Sequence, residues 1–195
     1  MKSMSYDLDW MRNKLQGSLK ESRFEHSVRV YETALEMADW YGLPKEMLAV
    51  AALLHDCGRV VPTGESVKRA RALGLAVDEI EARQPILLHQ KLGVYYARQE
   101  YGVQDEEILA AIGHHTTGGP GMSVMAQVVY LADMIEPGRK FPGVDDLRAA
   151  ARQGLRQGML KCYGHTVAYL MQTGMLVHPD CLAGYNELVM QGAEK

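Results

Sequence analysis

Apolar residues recur along this chain at helical spacing, and short breaks marked by glycine or proline separate the stripes. No stretch alternates with the period of two that a half-buried strand shows. Positions 5–16 predict a short amphipathic helix anchored by Trp10, Met11 and Leu15. Ser22-Arg23-Phe24-Glu25 has the pattern of a capping box and predicts a helix that runs to about Tyr41 and stops at Gly42. His26, Val30, Thr33, Ala34, Met37 and Tyr41 share its apolar stripe. A third helix is expected over Pro44–Leu54, with Pro44 in the first turn and Gly58 as the stop; Leu48, Ala51 and Ala52 lie on the face of His55. From Val60 to Gln84, breaks at Pro62, Gly64 and Gly74 predict short helices joined by loops, either a solvated face or a cover over a site.

Pro85 opens and Gly102 closes the next helix, lined on one side by His89, Leu92, Gly93 and Tyr96. Gln104-Asp105-Glu106-Glu107 begins another, acidic in its first turn as the helix dipole favours. Its stripe is Ile108, Ala111, Ile112 and His115, with His114 rotated away. The turn-rich loop Thr116–Gly121 is either a connector or a place where backbone N–H groups approach an anion. Ser123 caps a helix over Val124–Glu136 that is apolar nearly all round and therefore buried. A loop from Pro137 to Gly143 and helices near Asp145–Gln153, Leu155–Thr173 and Pro179–Gln191 complete an all-α chain.

Against this pattern the chemical groups stand out. His26, His55-Asp56, His89, His115 and Asp133 come from five helices, each from an inward face or a helix end. Singly, each reads as a hydrogen-bonded core histidine or a helix-end acid. Together they form a set with no lysine or arginine partner evident in the sequence, and buried lone carboxylates require a cation or strong hydrogen bonds. Imidazoles and carboxylates suit divalent transition metals, and the absence of paired cysteines argues against a closed structural zinc site. A metal so held lowers the pKa of bound water from 15.7 to roughly 7 and neutralises phosphoryl oxygens, which suits phosphoester or phosphoanhydride hydrolysis. His165 and His178 fall outside this set and read as structural or surface residues.

Bulk properties narrow the partners. A length of 195 residues suits a single domain over 1–195. A net charge of −3 gives no basic field for nucleic acid. No apolar run approaches a membrane span, and the first ten residues lack a signal-peptide core. Three scattered cysteines, Cys57, Cys162 and Cys181, fit a reducing cytoplasm.

The order H…HD…H…H…D resembles the HD-domain superfamily of metal-dependent phosphohydrolases. Several segments resemble its YqeK family more closely: Arg23-Phe24-Glu25-His26, Leu53-Leu54-His55-Asp56, His89 with Gly93, the stretch from Ala111 to Gly118, and the stretch from Tyr130 to Val144. The resemblance implies an HD-type helical bundle that cuts diadenosine tetraphosphate symmetrically into two ADP by attack of a metal-activated water. It implies iron, as one or two ions, where manganese or zinc would also fit the donor set. By match to the motif, His26, His55, Asp56 and Asp133 would hold the principal metal. His89 and His115 would hold a second metal or contact the phosphates, with Asp56, His89 and His115 acting in catalysis. The nucleotide would meet His26, Arg29, His55, Arg59, His89, His115 and Arg139. A homodimer is a further expectation. Gly113, His114 and Gly119 depart from the family pattern beside the expected phosphate region. Of these, His114 and Gly119 motivate one alternative, an HD enzyme acting on mononucleotides or cyclic nucleotides; a non-catalytic nucleotide-binding module is the other alternative.

Overall fold

The computed structural model describes residues 6–192. Among them lie eleven α-helices, three short 3-10 turns and no strand. The helices are α1 (Leu8–Ser18), α2 (Glu21–Tyr41), α3 (Lys45–Leu54), α4 (Ser66–Ala72), α5 (Glu79–Arg83), α6 (Leu88–Glu100), α7 (Glu106–His114), α8 (Val124–Ile135), α9 (Val144–Gln153), α10 (Leu155–Gln172) and α11 (Pro179–Gln191). The all-α expectation holds. No helix among the described residues is long and apolar enough to cross a membrane.

The inner layer is α8, apolar on every side but one. Val128, Val129, Leu131 and Ala132 are all fully buried, with α2, α3 and α7 packed around them. Helix α2 lays its expected stripe on this centre: Val30, Ala34 and Met37 have no exposed surface. Helix α3 is buried along its whole second half, so His55 and Asp56 are delivered at its end into the core. Helix α6 then packs on the 3-10 turn Cys57–Val60, while α9 and α10 cover α8 and α11 packs on α10.

Several ends obey local chemistry. Gly42, Gly102 and Gly174 sit at φ +64°, +69° and +68°, the left-handed region that ends a helix without a Cβ clash. Asp105 and Ser123 accept first-turn N–H groups at the starts of α7 and α8.

Other expectations need correction. Ser22–Glu25 is not a capping box: α2 starts earlier, at Glu21, after Lys20, which makes no side-chain cap. The reciprocal box is Asp78–Glu81 at the head of α5. Trp10 does not anchor α1. It is 46% exposed, edge-on to Tyr101 and beneath the Lys14 ammonium, while Met11 and Leu15 are buried as expected; position 5 lies outside the described residues. Pro85 opens a 3-10 turn, Pro85–Leu87, that feeds α6. Gly58 does not stop α3 but lies inside the following 3-10 turn, where its lack of a side chain lets that turn touch the backbone of His89 and Gly93.

One long-range clamp shapes the loop after α8. Arg148 on α9 donates to the carbonyl oxygens of Ile135 (3.0 Å), Glu136 (2.9 Å) and Arg139 (3.1 Å). The turn that carries Glu136, Gly138 and Arg139 is thereby tied to α9.

Candidate metal centre

The five helices bring His26, His55, Asp56, His89, His115 and Asp133 together. Three of the imidazoles are aimed by the same local device. Nδ1 of His55 donates to the Ala52 carbonyl at 2.8 Å and Nδ1 of His115 to that of Ile112 at 2.7 Å; Nδ1 of His89 does the same to Ile86. Each acceptor lies three residues back, where a helix end or 3-10 turn leaves the carbonyl free. His26 differs: its Nδ1 donates to Oε1 of Glu136 at 3.1 Å. With the ring proton on Nδ1, each Nε2 presents a lone pair to the common centre.

There the acceptors crowd. Nε2 of His89 lies 2.9 Å from Nε2 of His115, and Nε2 of His55 lies 3.4 Å from Nε2 of His26. Oδ1 of Asp133 is 2.9 Å from Nε2 of His26. Oδ1 of Asp56 is 3.3 Å from Nε2 of His89 and 3.6 Å from that of His115. Oδ2 of Asp56 is 3.8 Å from His55 Nε2 and 4.0 Å from His26 Nε2. Thr116 Oγ1, at 3.0 and 3.1 Å from His89 and His115, has one proton to give to two nitrogens. Three overlapping groups each hold their ligand atoms within 4.8 Å of one another: His26–His55–Asp56, His55–His115–Asp133 and Asp56–His89–His115. Buried acceptors facing one another with too few donors between them fit a divalent cation. Asp56 belongs to two of the groups, one through each side of its carboxylate.

Electrostatics agree with neutral His55 and His89 rings and with charged acids. Burial pushes the His55 and His89 imidazoles down to about 4 and about 3, so both are unprotonated near neutrality. Burial alone would raise the Asp56 carboxyl, but His55, His115, His89 and Arg59 outweigh it and hold the group well below the usual carboxylate range. For Asp133, burial is likewise outweighed by His26, His55 and Arg139, and its carboxyl is lowered.

The carboxylates are not, however, without basic partners. Arg59 Nε meets Asp56 Oδ1 at 2.9 Å and Arg23 Nη1 meets Oδ2 at 3.3 Å. Arg139 contacts Asp133 Oδ1 through Nη2 and its carbonyl through Nε, the latter at 2.7 Å. Arg59 is only three residues from Asp56, and the 3-10 turn folds it back; Arg23 comes from a different helix. The sequence-based premise of an acid pair with no arginine therefore fails, while the crowding of imidazole lone pairs still points to a cation.

Among the remaining expected residues, Arg29 places Nε on Glu136 Oε2 at 2.7 Å. Glu136, which sequence reasoning passed over, is 2% exposed and joins Arg29 to His26. Its only signal is position: it ends the helix that carries Asp133 and precedes Pro137. Arg23 and Thr116 were also passed over, and nothing in their own spacing marks them.

The loop Thr116–Gly121 is a packed connector. The Gly118 N–H bonds the His114 carbonyl, that of Gly119 the Tyr163 hydroxyl, and that of Gly121 the Glu187 carboxylate. His114 Nδ1 lies 3.1 Å from the Gly118 carbonyl oxygen, and a Cβ on Gly119 would meet that ring at 2.9 Å. The departures at His114 and Gly119 thus form one local contact. His165 stacks on Phe141, and His178 clasps Asp78 at 3.0 Å, both away from the imidazole cluster.

Comparison with known proteins places the chain. Residues 23–138, which include every member of the cluster, match the HD domain family. Proteins described as "Bis(5'-nucleosyl)-tetraphosphatase, symmetrical" from Bacillus subtilis and Halalkalibacterium halodurans are 39% and 36% identical to it. These matches cover 88% and 89% of this chain and 91% and 92% of theirs. The counterpart from Staphylococcus aureus is 37% identical over 86% of this chain and 89% of its own. A crystal structure from Clostridium acetobutylicum, described as a "predicted HD superfamily hydrolase involved in NAD metabolism", superposes with a TM-score of 0.90 at 33% identity, over 95% of this chain and 98% of that one. This chain belongs to the HD-domain family, within the group of symmetrical bis(5'-nucleosyl)-tetraphosphatases.

Proposed function

We propose that this protein hydrolyses diadenosine tetraphosphate symmetrically, adding one water to the central phosphoanhydride to give two ADP. The observation that carries the reading is the convergence of four Nε2 lone pairs and two carboxylates in a single buried cluster, in a chain of this family. His26, His55, Asp56 and Asp133 are the proposed ligands of the principal metal. His89 and His115 would join Asp56 around a second ion, or face the phosphates if one ion is held. Iron is the proposed metal; manganese and zinc are the alternatives this donor set accepts. When bound, a divalent ion supplies charge neutralisation at the phosphoryl oxygens and a water of lowered pKa.

The chain's own residues do the rest. Backbone carbonyls fix the tautomers of His55, His89 and His115, so the rings need no reorganisation as charge develops. Thr116 places a hydroxyl between His89 and His115, within reach of a phosphoryl oxygen or a water there. Arg23, Arg59 and Arg139 stand around the acids as part-exposed guanidiniums, fitted to the several negative charges of a tetraphosphate chain. We assign the phosphate contacts to Arg59 and Arg139 first. The whole chain is proposed to act as one HD-type domain.

The test is direct. Protein loaded separately with Fe²⁺, Mn²⁺ or Zn²⁺ is given diadenosine tetraphosphate, and the nucleotides are separated. ADP as the sole early product is expected. AMP with ATP, or no turnover with any of these metals, would refute the assignment. Mononucleotide and cyclic nucleotide substrates run in parallel should release product more slowly.

A further inference from the structure

Among the four converging imidazoles, His26 alone is backed by a charged group. The other three rest on neutral backbone carbonyls. Behind His26 stands a buried carboxylate, Glu136, and Glu136 is itself fully engaged. Oε1 accepts from His26 Nδ1 at 3.1 Å, while Oε2 accepts from Arg29 Nε at 2.7 Å and from the Gly138 N–H. A Cβ on Gly138 would fall 2.6 Å from Arg29 Nε and 2.8 Å from Glu136 Oε2, so this corner is closed around the pair. The guanidinium and the peptide N–H on Oε2 are the partners a carboxylate takes.

We infer that Glu136 is the positioning residue for His26. It holds the ring in the Nδ1–H form and makes Nε2 a stronger donor than its three neighbours, with Arg29 serving as the counter-ion of Glu136. A ligating histidine whose other nitrogen donates to a carboxylate is fixed in tautomer and direction and gains basicity. The surroundings of His26 require such help. Its Nε2 faces both Asp133 at 2.9 Å and His55 at 3.4 Å, so a turn of this ring would disturb two proposed ligands together. The backbone of Glu136 is tied in turn, because Arg148 clamps the carbonyls of Ile135 and Glu136. The inference also moves Arg29 out of the set of phosphate contacts and into the support of a ligand.

This rests on the reading of His26 as a metal ligand, and its first test measures metal binding before any substrate is added. Purified metal-free protein is titrated with Mn²⁺ while free Mn²⁺ is followed by its paramagnetic resonance signal, and Co²⁺ loading is followed by visible absorption. Glu136→Ala should weaken Mn²⁺ binding by about 10- to 100-fold. Glu136→Gln, whose one amide oxygen still accepts from Nδ1–H but which loses the charge and turns its NH2 toward the Arg29 and Gly138 donors, should recover only part of that loss. Binding by Glu136→Ala within about twofold of wild type would overturn the inference, as would a Gln variant that binds as tightly as wild type, which would leave the charge without a role. Should Glu136→Ala fail to fold, Arg29→Gln decides. Weaker Mn²⁺ binding with an unchanged KM supports the inference, whereas full Mn²⁺ binding with a raised KM returns Arg29 to the phosphates and overturns it. A protein that binds Mn²⁺ as expected here yet leaves diadenosine tetraphosphate intact would refute the proposed reaction and leave Glu136 in its role.

Discussion

Gly58 is where the two halves of the cluster meet. It lies in the 3-10 turn just after Asp56, against the start of α6, which carries His89. A Cβ there would stand 2.5 Å from the Gly93 nitrogen, and it would press still harder on the His89 carbonyl oxygen. Both obstacles are backbone and cannot swing aside. Restoring an ordinary contact of about 3.5 Å requires the turn and α6 to part by about 1 Å at the Gly93 nitrogen and somewhat more at the His89 oxygen. Asp56 Oδ1 and His89 Nε2, now 3.3 Å apart, sit on the two sides of that gap. Overpacking of this kind typically costs 1–3 kcal/mol, and an error of about 1 Å in a reacting constellation costs about 100-fold in rate. Gly58→Ala should therefore lower the stability of the metal-free protein by about 2 kcal/mol in urea unfolding and cut turnover about 100-fold. Gly64→Ala is the control, because its Cβ would meet nothing within 4 Å. It should stay within about 0.5 kcal/mol of wild type. A Gly58→Ala protein as stable and active as the control would show that the turn and α6 are not in the contact on which this reasoning stands.

Other outcomes follow from the same geometry. Asp56→Ala should abolish turnover and metal loading while circular dichroism remains helical; wild-type metal content by elemental analysis would contradict the assignment. His115→Ala should cost at least about 100-fold in turnover. His114→Tyr should cost less than about threefold, because His114 bonds the Gly118 carbonyl instead of joining the cluster; equal losses would refute the distinction. Acid should destabilise the metal-free protein. The folded state holds His55 at about 4 and His89 at about 3, below their value in the unfolded chain, so the unfolded chain takes up protons first as pH falls below the ordinary histidine range. Stability is then lost at up to about 1.4 kcal/mol per pH unit for each of the two rings. The lowered Asp56 and Asp133 act in the same sense at still lower pH, where the unfolded carboxylates protonate first. Urea unfolding between pH 6.5 and 4.5 that gives a flat profile would contradict neutral buried rings.

Much of the fold was legible because its signals are local. The end of α2 at Gly42 follows from one residue's freedom to adopt positive φ, and the start of α8 from the Ser123 hydroxyl. The inward rotation of His115 relative to His114 follows from helical phase alone, and burial bears it out at 2% exposure. What failed required tertiary knowledge. Trp10 lies on the same apolar stripe as Met11 and Leu15, but Tyr101 and Lys14 cover it only in part and it stays 46% exposed. The Arg23–Asp56 pair spans 33 positions, and no periodicity encodes it. Glu136 was missed for the opposite reason: a glutamate at a helix end before proline reads as a surface residue until Arg29 and His26 close over it. The Thr116–Gly121 loop left two uses open, and the Tyr163 hydroxyl, from 44 positions away, and the Glu187 carboxylate, from 66, decide between them.

The carbonyls that hold His55, His89 and His115 have a consequence for which ions the site can accept. Each ring takes its heading from a peptide group within its own tetrapeptide. Ring and rest thus travel as one piece when a helix slides. On the proposed reading of these rings as metal ligands, they would present the same nitrogens to iron, manganese or zinc, and discrimination would fall to the supply of each ion and to the acids beside them.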